Sequence, residues 1–337
     1  MLTLFGDPTV WLPLTFAALM GFAILVYVVL DGYDLGVGIL LAGAEPAEKD
    51  RMVASIGPFW DANETWLVLA VGLLLVAFPV AHGVILSTLY VPVAVMLLGL
   101  ILRGVAFEFR QKVAAGRKGS WNAAFFTGSL MTALAQGYML GRYVMGLETG
   151  AIAEAFAVLT AICVACGYGF IGAAWLIHKT EGALQRKAVC WARRCLWFVA
   201  IGFAAISLAS PLASPRIFEK WFALPEFILL APLPLTAAAV FAATAFVLRR
   251  LPMADDAFNW APFAGGVTLF ALAFAGLAYS FYPYVVPDRM TVFEAASAPE
   301  SLAIILVGTL VVMPVILGYT VIAYLIFRGK ATDLRYD

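Results

Sequence analysis

Histidine and charged residues are scarce in this sequence. Only 2 of its 337 residues are histidine and 12% are charged, whereas 64% are hydrophobic and the mean hydropathy is +0.96. Equal numbers of acidic and basic residues leave no cationic excess for a nucleic-acid partner. Repeated apolar runs of about 20 residues match the length that crosses a bilayer and exclude a soluble multidomain chain. Met1–Pro8 contains no basic residue, so we expect no cleaved signal peptide.

Residues that hold metals or carry out redox chemistry are few. The two histidines, His82 and His178, fall on opposite faces of the predicted topology and cannot share a metal or a haem; each is either a single axial ligand or a surface residue. No nucleotide-binding or hydrolase motif occurs in a suitable context, which argues against an enzyme that acts alone. We interpret the cysteines as packing residues rather than redox or metal groups: they are Cys163, Cys166, Cys190 and Cys195.

The apolar runs predict nine membrane spans. A short turn at Ala81–Gly83 joins the second span to the third, and Gln136 and Arg142 make the fourth span the least regular. The spans lie near 10–40, 62–81, 84–108, 121–146, 151–178, 190–210, 224–248, 258–282 and 301–327.

Basic residues sort strongly onto alternate loops. One side collects 16 of the 21, the other side holds four, and Arg103 lies inside the third span. Because Lys and Arg favour cytoplasmic loops, the C-terminus is predicted to be cytoplasmic and the N-terminus periplasmic. The 16 are Lys49, Arg51, Arg110, Lys112, Arg117, Lys118, Lys179, Arg186, Lys187, Arg193, Arg194, Arg249, Arg250, Arg328, Lys330 and Arg335.

Three polar clusters interrupt the apolar sequence on the predicted cytoplasmic side. The first holds Asp31 and Asp34, three residues apart and so on one helical face. Gly32 and Gly36 in the same segment would let another helix approach closely. The second cluster, Ser55–Trp66, contains two acids, an amide and two indoles, and the third runs from Arg103 to Arg110. We expect the three to meet and form a proton-handling region.

Simpler roles remain open for individual residues in these clusters. Asp61 would complement the dipole of the second span or cap its N-terminus. Arg103 is the one charged residue of Leu97–Phe107, so it should pair with an acid or face a cavity. A structural ion pair and a proton relay both satisfy that requirement. The acids that we expect within its reach are Asp31, Asp34, Asp61 and Glu108.

The motifs resemble subunit II of the cytochrome bd-type quinol oxidases, especially the cyanide-insensitive branch. The similarity extends over essentially the whole chain and is densest in residues 27–110. The motifs that carry it are Tyr27–Gly38, Ile56–Leu69, Leu100–Arg110, Ala135–Gly137 and Lys179–Gly182.

This resemblance implies an all-α integral membrane protein with about nine transmembrane helices, arranged as two four-helix bundles plus one peripheral helix. The single transmembrane domain of residues 1–337 would divide into a first bundle at 1–150, with the proton-path motifs, and a second at 151–285. Residues 286–337 would form the last helix and a cytoplasmic tail.

The resemblance also implies a function within the bacterial inner membrane. The chain would be the non-haem subunit of a respiratory oxidase that transfers electrons from quinol to oxygen and contributes to the proton motive force. Its larger partner, subunit I, would carry the quinol site, two b-type haems and one d-type haem. Subunit II would bind no metal and would not be catalytic alone. A small single-helix accessory subunit and membrane lipid would be further partners; a quinone bound to subunit II is seen in some members and is not assigned to this chain.

Site residues carried over from the family lie in or beside a cytoplasmic proton route. Trp66 matches a tryptophan that lines an oxygen path in some members, and Phe59 stands where some relatives have histidine. The route residues are Asp31, Asp34, Asp61, Arg103 and Glu108, with Trp60, Asn63 and Glu64 in support.

Two rival functions fit the same residues. Intramembrane acids with an arginine would also serve a proton-coupled secondary transporter, although no corresponding pair of Gly- or Pro-broken spans occurs in the two halves. In the other alternative the acids only hold helices together in a structural partner.

Overall fold

The computed structural model describes residues 6–213 and 215–331, which are almost entirely helical. Short 3₁₀ segments occur at Leu41–Gly43, Ala115–Arg117 and Ala254–Asp256, and strands β1 (Tyr284–Val286) and β2 (Met290–Thr291) form a small antiparallel hairpin. The helices are α1 (Pro8–Leu40), α2 (Pro46–Ile56), α3 (Trp60–Ala77), α4 (Pro79–Thr88), α5 (Tyr90–Lys112), α6 (Lys118–Val144), α7 (Ala151–Lys179), α8 (Gly182–Ala213), α9 (Pro215–Phe222), α10 (Glu226–Leu230), α11 (Pro232–Arg250), α12 (Ala261–Phe281), α13 (Val292–Ala295) and α14 (Pro299–Ile326).

The predicted all-α membrane fold is confirmed. Within the described residues, eight helical stretches are long and apolar enough to cross a bilayer: α1, α3, α5, α7, α8, α10 with α11, α12 and α14. Helix α6, with 27 residues or about 40 Å at 1.5 Å per residue, is also long enough to cross a bilayer. It is less apolar than the other eight stretches because it carries Asn122, Gln136 and Arg142. With α6 the long helices agree with the approximate count of nine.

The predicted turn at Ala81–Gly83 is wrong. Those residues lie inside α4, and the chain leaves helical geometry on either side of that helix, at Phe78 and Leu89. Pro79 explains the first break, because a proline disfavours the helical conformation of the residue before it. Gly83 is tolerated within the helix, so His82 lies on a short helix rather than in a turn.

Prolines set several helix starts. Proline occupies the first helical position where its missing N–H costs nothing. At the start of α1, Asp7 accepts a hydrogen bond from the Thr9 backbone N–H at 2.9 Å and caps the helix. At the start of α2, Glu45 and Glu48 form a capping box.

Helices α1 and α7 lie at the centre of the helix packing. Helix α1 packs against α3, α6, α7 and α14, and α7 packs against α6, α8 and α12; α5 lies against α6, α11 against α8 and α12, and α14 also against α3. Glycines bring α1 and α7 together: a Cβ on Gly36 would overlap the backbone carbonyl of Tyr168, and one on Gly172 would lie 2.5 Å from the Gly36 carbonyl carbon. The close approach expected from Gly32 and Gly36 is therefore made by α7.

Ion pairs gather several helix termini at one end of the molecule, which we call the basic end. Asp50 of α2 binds Arg110 at the end of α5, at 2.6 Å, and Lys118 at the start of α6, at 3.1 Å. Lys187 of α8 binds Glu48 of α2 at 2.7 Å. Helix α2 was not predicted; it buries Met52, Val53 and Ile56 and presents its polar face outward.

The last helix is fixed at both of its ends. Ser297, just before α14, donates its backbone N–H to the Ala77 carbonyl at the end of α3, at 2.8 Å. At the basic end, Lys179 of α7 donates to the carbonyls of Phe327 and Gly329 at 2.5 and 2.9 Å. This attachment holds the final turns of α14 beside α1, α3 and α7.

Candidate functional site

Arg103 is the cation at the centre of the buried polar site. Its side chain is only 2% exposed, and Nη1 lies 2.6 Å from Oδ1 of Asp31 while Nη2 lies 3.2 Å from Oε2 of Glu64. Helices α1, α3 and α5 therefore converge on one guanidinium. Burying a charge without a partner is costly, so this pairing is the arrangement that an isolated intramembrane arginine requires. Glu64 was predicted as a supporting residue, not as one of the acids within reach of Arg103.

Asp34 is fully buried beside this cluster and has no cationic partner among the described residues. Its Oδ2 accepts a hydrogen bond from Nδ2 of Asn63 at 2.7 Å, and its Oδ1 has no partner. Asp31 likewise leaves Oδ2 unpartnered. Two buried carboxyl groups one helical turn apart thus retain free oxygen atoms, although one of them is paired with an arginine.

Two tyrosines that sequence reasoning did not single out extend the polar network. The Tyr33 and Tyr324 hydroxyls lie 2.6 Å apart, and Tyr324 also donates to Oδ1 of Asn63 at 3.2 Å. Asn63 in turn donates to the Tyr33 hydroxyl at 2.9 Å. The position of Tyr33 inside an apolar span already indicated a hydrogen bond, because a buried phenol normally finds a partner. The sequence could not show that this partner is Tyr324, 291 residues further along the chain.

A second chain of polar groups lies one helical turn from Asp31. Gln136 of α6 donates to the Tyr27 hydroxyl at 2.6 Å and accepts from the Tyr168 hydroxyl at 2.6 Å. Gln136, which makes the fourth span less regular, thus satisfies two tyrosines from neighbouring helices. Tyr27, Gln136 and Tyr168 therefore place hydrogen-bonded polar groups further along α1, away from the basic end.

Asp61 and Glu108 lie at the rim of the site and do not contact Arg103. Both are exposed, and within the described ranges Glu108 pairs only with Lys112 on its own helix, at 3.6 Å. Asp61 is not the cap of α3, because Phe59 occupies that position without a side-chain cap; Asp61 lies in the first turn. There its charge complements the helix dipole.

Aromatic side chains separate this rim from the buried cluster. The Trp60 ring contacts the Phe107 ring at a centroid distance of 5.1 Å, and both line a narrow crevice against Arg103. Trp66 is fully buried deeper along α3, in edge contact with Phe22 at 5.9 Å. The structure therefore unites Asp31, Asp34, Asn63, Glu64 and Arg103 and leaves the two rim acids outside.

No cluster of three or more His, Cys, Asp or Glu residues in the described ranges has a geometry that suits a metal ion. The cysteine pair Cys163 and Cys166 contains free thiols in α7. His178 lies 2.7 Å from the Asn259 side chain, at the basic end. The ionisable chemistry of the described chain is therefore concentrated in the carboxyl, guanidinium and phenol groups of the site.

Comparison with known protein families identifies the family of this chain. The family model for cytochrome bd terminal oxidase subunit II matches residues 12–327, a range that contains all three polar clusters. The chain belongs to the cytochrome bd subunit II family. This confirms the family resemblance, and membership in an oxidase family removes the support for the transporter alternative.

Similar subunit II proteins align over nearly the whole chain. The cytochrome bd ubiquinol oxidase subunit 2 of Bacillus subtilis strain 168 is 27% identical over 322 residues, which cover 90% of this chain and 92% of that protein. The cytochrome bd-I ubiquinol oxidase subunit 2 of Escherichia coli K12 is 27% identical over 380 residues, covering 96% and 94%. A chain in the structure of bd oxidase from Geobacillus thermodenitrificans shares the fold, with a TM-score of 0.75, 17% identity and coverage of 95% and 99%.

As a cytochrome bd subunit II, the protein is a multi-span membrane component of a terminal oxidase, which is an oxidoreductase complex. A subunit I partner follows from this membership.

Proposed function

We propose that this subunit carries protons from the cytoplasm towards the oxygen-reducing haem of subunit I in a quinol oxidase. Reduction of oxygen to water consumes protons, and with quinol oxidised at the outer face they must enter from inside. The two b-type haems and the d-type haem of the partner supply the electron transfer and oxygen chemistry. This chain's residues supply the ionisable and hydrogen-bonding groups along the way.

The buried carboxyl pair is the observation that carries the proposal. Asp31 and Asp34 lie one helical turn apart with free oxygen atoms, and a single cation, Arg103, balances Asp31 and Glu64. An ionised carboxylate without a partner in a dry interior is costly, which favours the neutral acid at Asp34. A group that holds a proton beside a fixed ion pair suits transfer along the site.

The rim acids are the proposed point of entry. Asp61 and Glu108 are exposed and flank the Trp60–Phe107 contact that covers Arg103. A proton would pass from this rim to Glu64, which is 30% exposed, and then to Asp31. Arg103 would hold the two carboxylates in place rather than carry the proton, since a guanidinium stays protonated. Asn63 and the Tyr33 hydroxyl would connect Asp34 to this route.

Further features belong to the same proposal. The N-terminus would lie in the periplasm and the basic end in the cytoplasm of a bacterial inner membrane, because 16 of the 21 basic residues fall on that side. The chain would divide at residues 150 and 285 into two four-helix bundles and a last segment. Buried Trp66 would border an oxygen path. Lipid, a small accessory subunit and a structural quinone are the remaining proposed partners, the last two without an assigned site.

Substitution of Asp61 tests the proposal. In the purified oxidase complex, Asp61→Asn should slow quinol-dependent oxygen consumption by roughly tenfold, less than the 10²–10⁴-fold typical of a positioned general acid or base, because Glu108 remains at the rim. The haem spectrum should stay unchanged, because Asp61 is exposed and forms no ion pair within the described residues.

The matched control is Asp255→Asn, an exposed aspartate at the basic end that has no ion pair with any residue that the structure describes. It should leave turnover unchanged. Normal turnover in Asp61→Asn would remove Asp61 from the route, and loss of haem together with activity would favour the purely structural alternative.

A further inference from the structure

Four arginines meet at the basic end where α8 approaches the end of α11. Arg193 joins the two helices, because its Nε and Nη2 donate to the Leu248 carbonyl oxygen at 2.9 and 2.5 Å. Arg194 follows on α8, and Arg249 and Arg250 end α11; all three are exposed. We call Arg193, Arg194, Arg249 and Arg250 the arginine patch.

The arginine patch differs from its neighbours because no acid in the described residues pairs with it. Elsewhere at the basic end, Asp50 pairs with Arg110 and Lys118, and Lys187 pairs with Glu48. Asp256, on the loop after α11, pairs with Lys330, and Asp255 has no ion pair in the described part of the chain. The patch therefore keeps its positive charge available to an anion from outside the chain.

An exposed apolar strip runs from the patch along both helices. On α8, Arg194, Trp197 and Ile201 share one face, and Trp197 and Ile201 are 64% and 52% exposed. The Trp197 ring meets the Phe241 ring of α11 at 6.0 Å, edge to face. These residues lie in spans long enough to cross a bilayer, so the strip faces the region of lipid tails.

Arg250 links the patch to this strip. Its guanidinium carbon lies 4.1 Å from the centroid of the Phe246 ring, which is itself 54% exposed. The cation is thus held against the apolar face rather than extended into water. Such stacking leaves the guanidinium N–H groups available to donate hydrogen bonds to an anionic partner.

We propose that the arginine patch binds the headgroup of an anionic phospholipid whose acyl chains lie along the α8–α11 strip. A phosphate diester accepts several N–H donors at once, which suits clustered guanidinium groups. A free anion would use the patch but not the apolar strip, whereas a phospholipid uses both. Basic clusters where transmembrane helices meet the membrane surface are a recognised form of lipid site.

Lipid retention by the purified oxidase complex tests this site. The variant carries Arg194→Gln, Arg249→Gln and Arg250→Gln and retains Arg193, which holds α8 to α11. Native mass spectrometry with added dioleoyl phosphatidylglycerol and dioleoyl phosphatidylcholine compares their binding. We expect binding of phosphatidylglycerol to fall by roughly tenfold or more, from the loss of three surface cations, and that of phosphatidylcholine to stay unchanged.

The matched control is Lys49→Gln, Arg51→Gln and Arg117→Gln, which removes three cations of the basic end that lie outside α8 and α11. It should keep the preference for phosphatidylglycerol. The proposal fails if the patch variant keeps that preference, if the control loses it equally, or if inorganic phosphate at the same concentration displaces the bound lipid.

A second measurement covers the case in which the arginine variant does not assemble. In the otherwise unmodified complex, brominated phosphatidylglycerol should quench tryptophan fluorescence more than brominated phosphatidylcholine does. Trp197→Phe should abolish this excess, because Trp197 lies on the strip next to the patch. Equal quenching by the two lipids, or an excess that survives Trp197→Phe, would overturn the site.

Discussion

Arg103 shows how one residue organises the charge of the site. It is a single buried cation opposite two carboxyl groups, and a third carboxyl, Asp34, lies nearby without a cation. With every acid ionised, the site would hold more negative than positive charge in a dry environment. Protons bound by the acids would restore the balance, which connects the proposed transport role to the electrostatics of the fold.

Arg103→Ala is expected to reduce assembly more than turnover. It would leave Asp31 without its partner in the interior, at a cost of about 3–5 kcal/mol. The measurement is haem content per membrane protein, together with oxygen consumption per haem. Arg117→Ala, an exposed arginine, serves as the control. Full haem content with normal activity in Arg103→Ala would contradict the expected role.

Tyr324→Phe isolates a single hydroxyl group. The ring can stay in place while the hydrogen bonds to Tyr33 and Asn63 are lost, so the cost in stability should be about 1 kcal/mol and the complex should assemble. If this hydroxyl orders the route, oxygen consumption slows at unchanged haem content. Tyr319→Phe, an exposed tyrosine on the same helix, is the comparison; equal rates in the two variants would place Tyr324 outside the route.

At the scale of elements, the contact between α1 and α7 positions the buried acids. Gly36 and Gly172 let the two backbones touch, and Asp31 and Asp34 lie within two turns of that contact. The acids are thereby held in the interior, where both side chains are fully buried. A wider helix separation would admit side chains or water and change the electrostatics of the site.

Gly36→Ala is expected to weaken this element contact. The added methyl group would overlap the Tyr168 carbonyl, which cannot move as a flexible side chain can, so the cost should be about 1–3 kcal/mol or more. The yield and melting temperature of the complex measure the effect. Gly318→Ala in α14 meets no atom within 4 Å and should be neutral; similar losses in both variants would refute the packing explanation.

Helix α2 offers a pH-dependent test at the basic end. Burial opposes ionisation of Asp50, but hydrogen bonds from Lys118 and Arg110 lower the pKa of its carboxyl below the usual value. A carboxyl with a lowered folded pKa stabilises the fold above its unfolded pKa of about 3.9, and this contribution is lost as pH falls through the folded value.

Asp50→Asn should therefore lower the melting temperature of the complex at pH 7. The expected cost is about 1 kcal/mol, since the side chain is 43% exposed and solvent screens the pair. Below the folded pKa the difference from the unmodified complex should shrink. Asp255→Asn provides the unpaired comparison, and a difference that persists unchanged into acid would exclude this explanation.

At the scale of the whole molecule, the two ends differ in charge. The contacts of α2 gather the ends of α5, α6 and α8 at the basic end. At the opposite end, Arg142 with Glu154 connects α6 to α7, and Arg216 with Asp288 connects α9 to the β1–β2 hairpin. The asymmetry of basic residues therefore follows the helix directions and predicts a defined orientation in the membrane.

Impermeant maleimide labelling checks that orientation. In a chain with exposed Cys190 replaced by serine, Arg51→Cys should react in inside-out vesicles only and Glu148→Cys in right-side-out vesicles only. Each variant serves as the control for the other. Labelling in the reverse orientation would show that the basic end faces outward.

The amino-acid sequence by itself determined the membrane class, the approximate number of spans and the sorting of basic residues. These properties depend on composition along short stretches of chain, and a bilayer responds to them locally. The motifs also identified the family. Local breaks were harder to predict: the effect of Pro79 outweighed the turn suggested near Gly83, and α2 is amphipathic over only a few turns.

Only the tertiary structure decided which side chains meet. Arg103 pairs with Glu64 as well as Asp31, Asp61 and Glu108 stay at the rim, and Tyr324 reaches Asn63 across 261 residues. Such choices depend on helix rotation and separation, which the α1–α7 glycine contact and the attachment of α14 fix together. A shift of one residue along any of these helices would turn its polar groups away from the site, and no single segment carries that information.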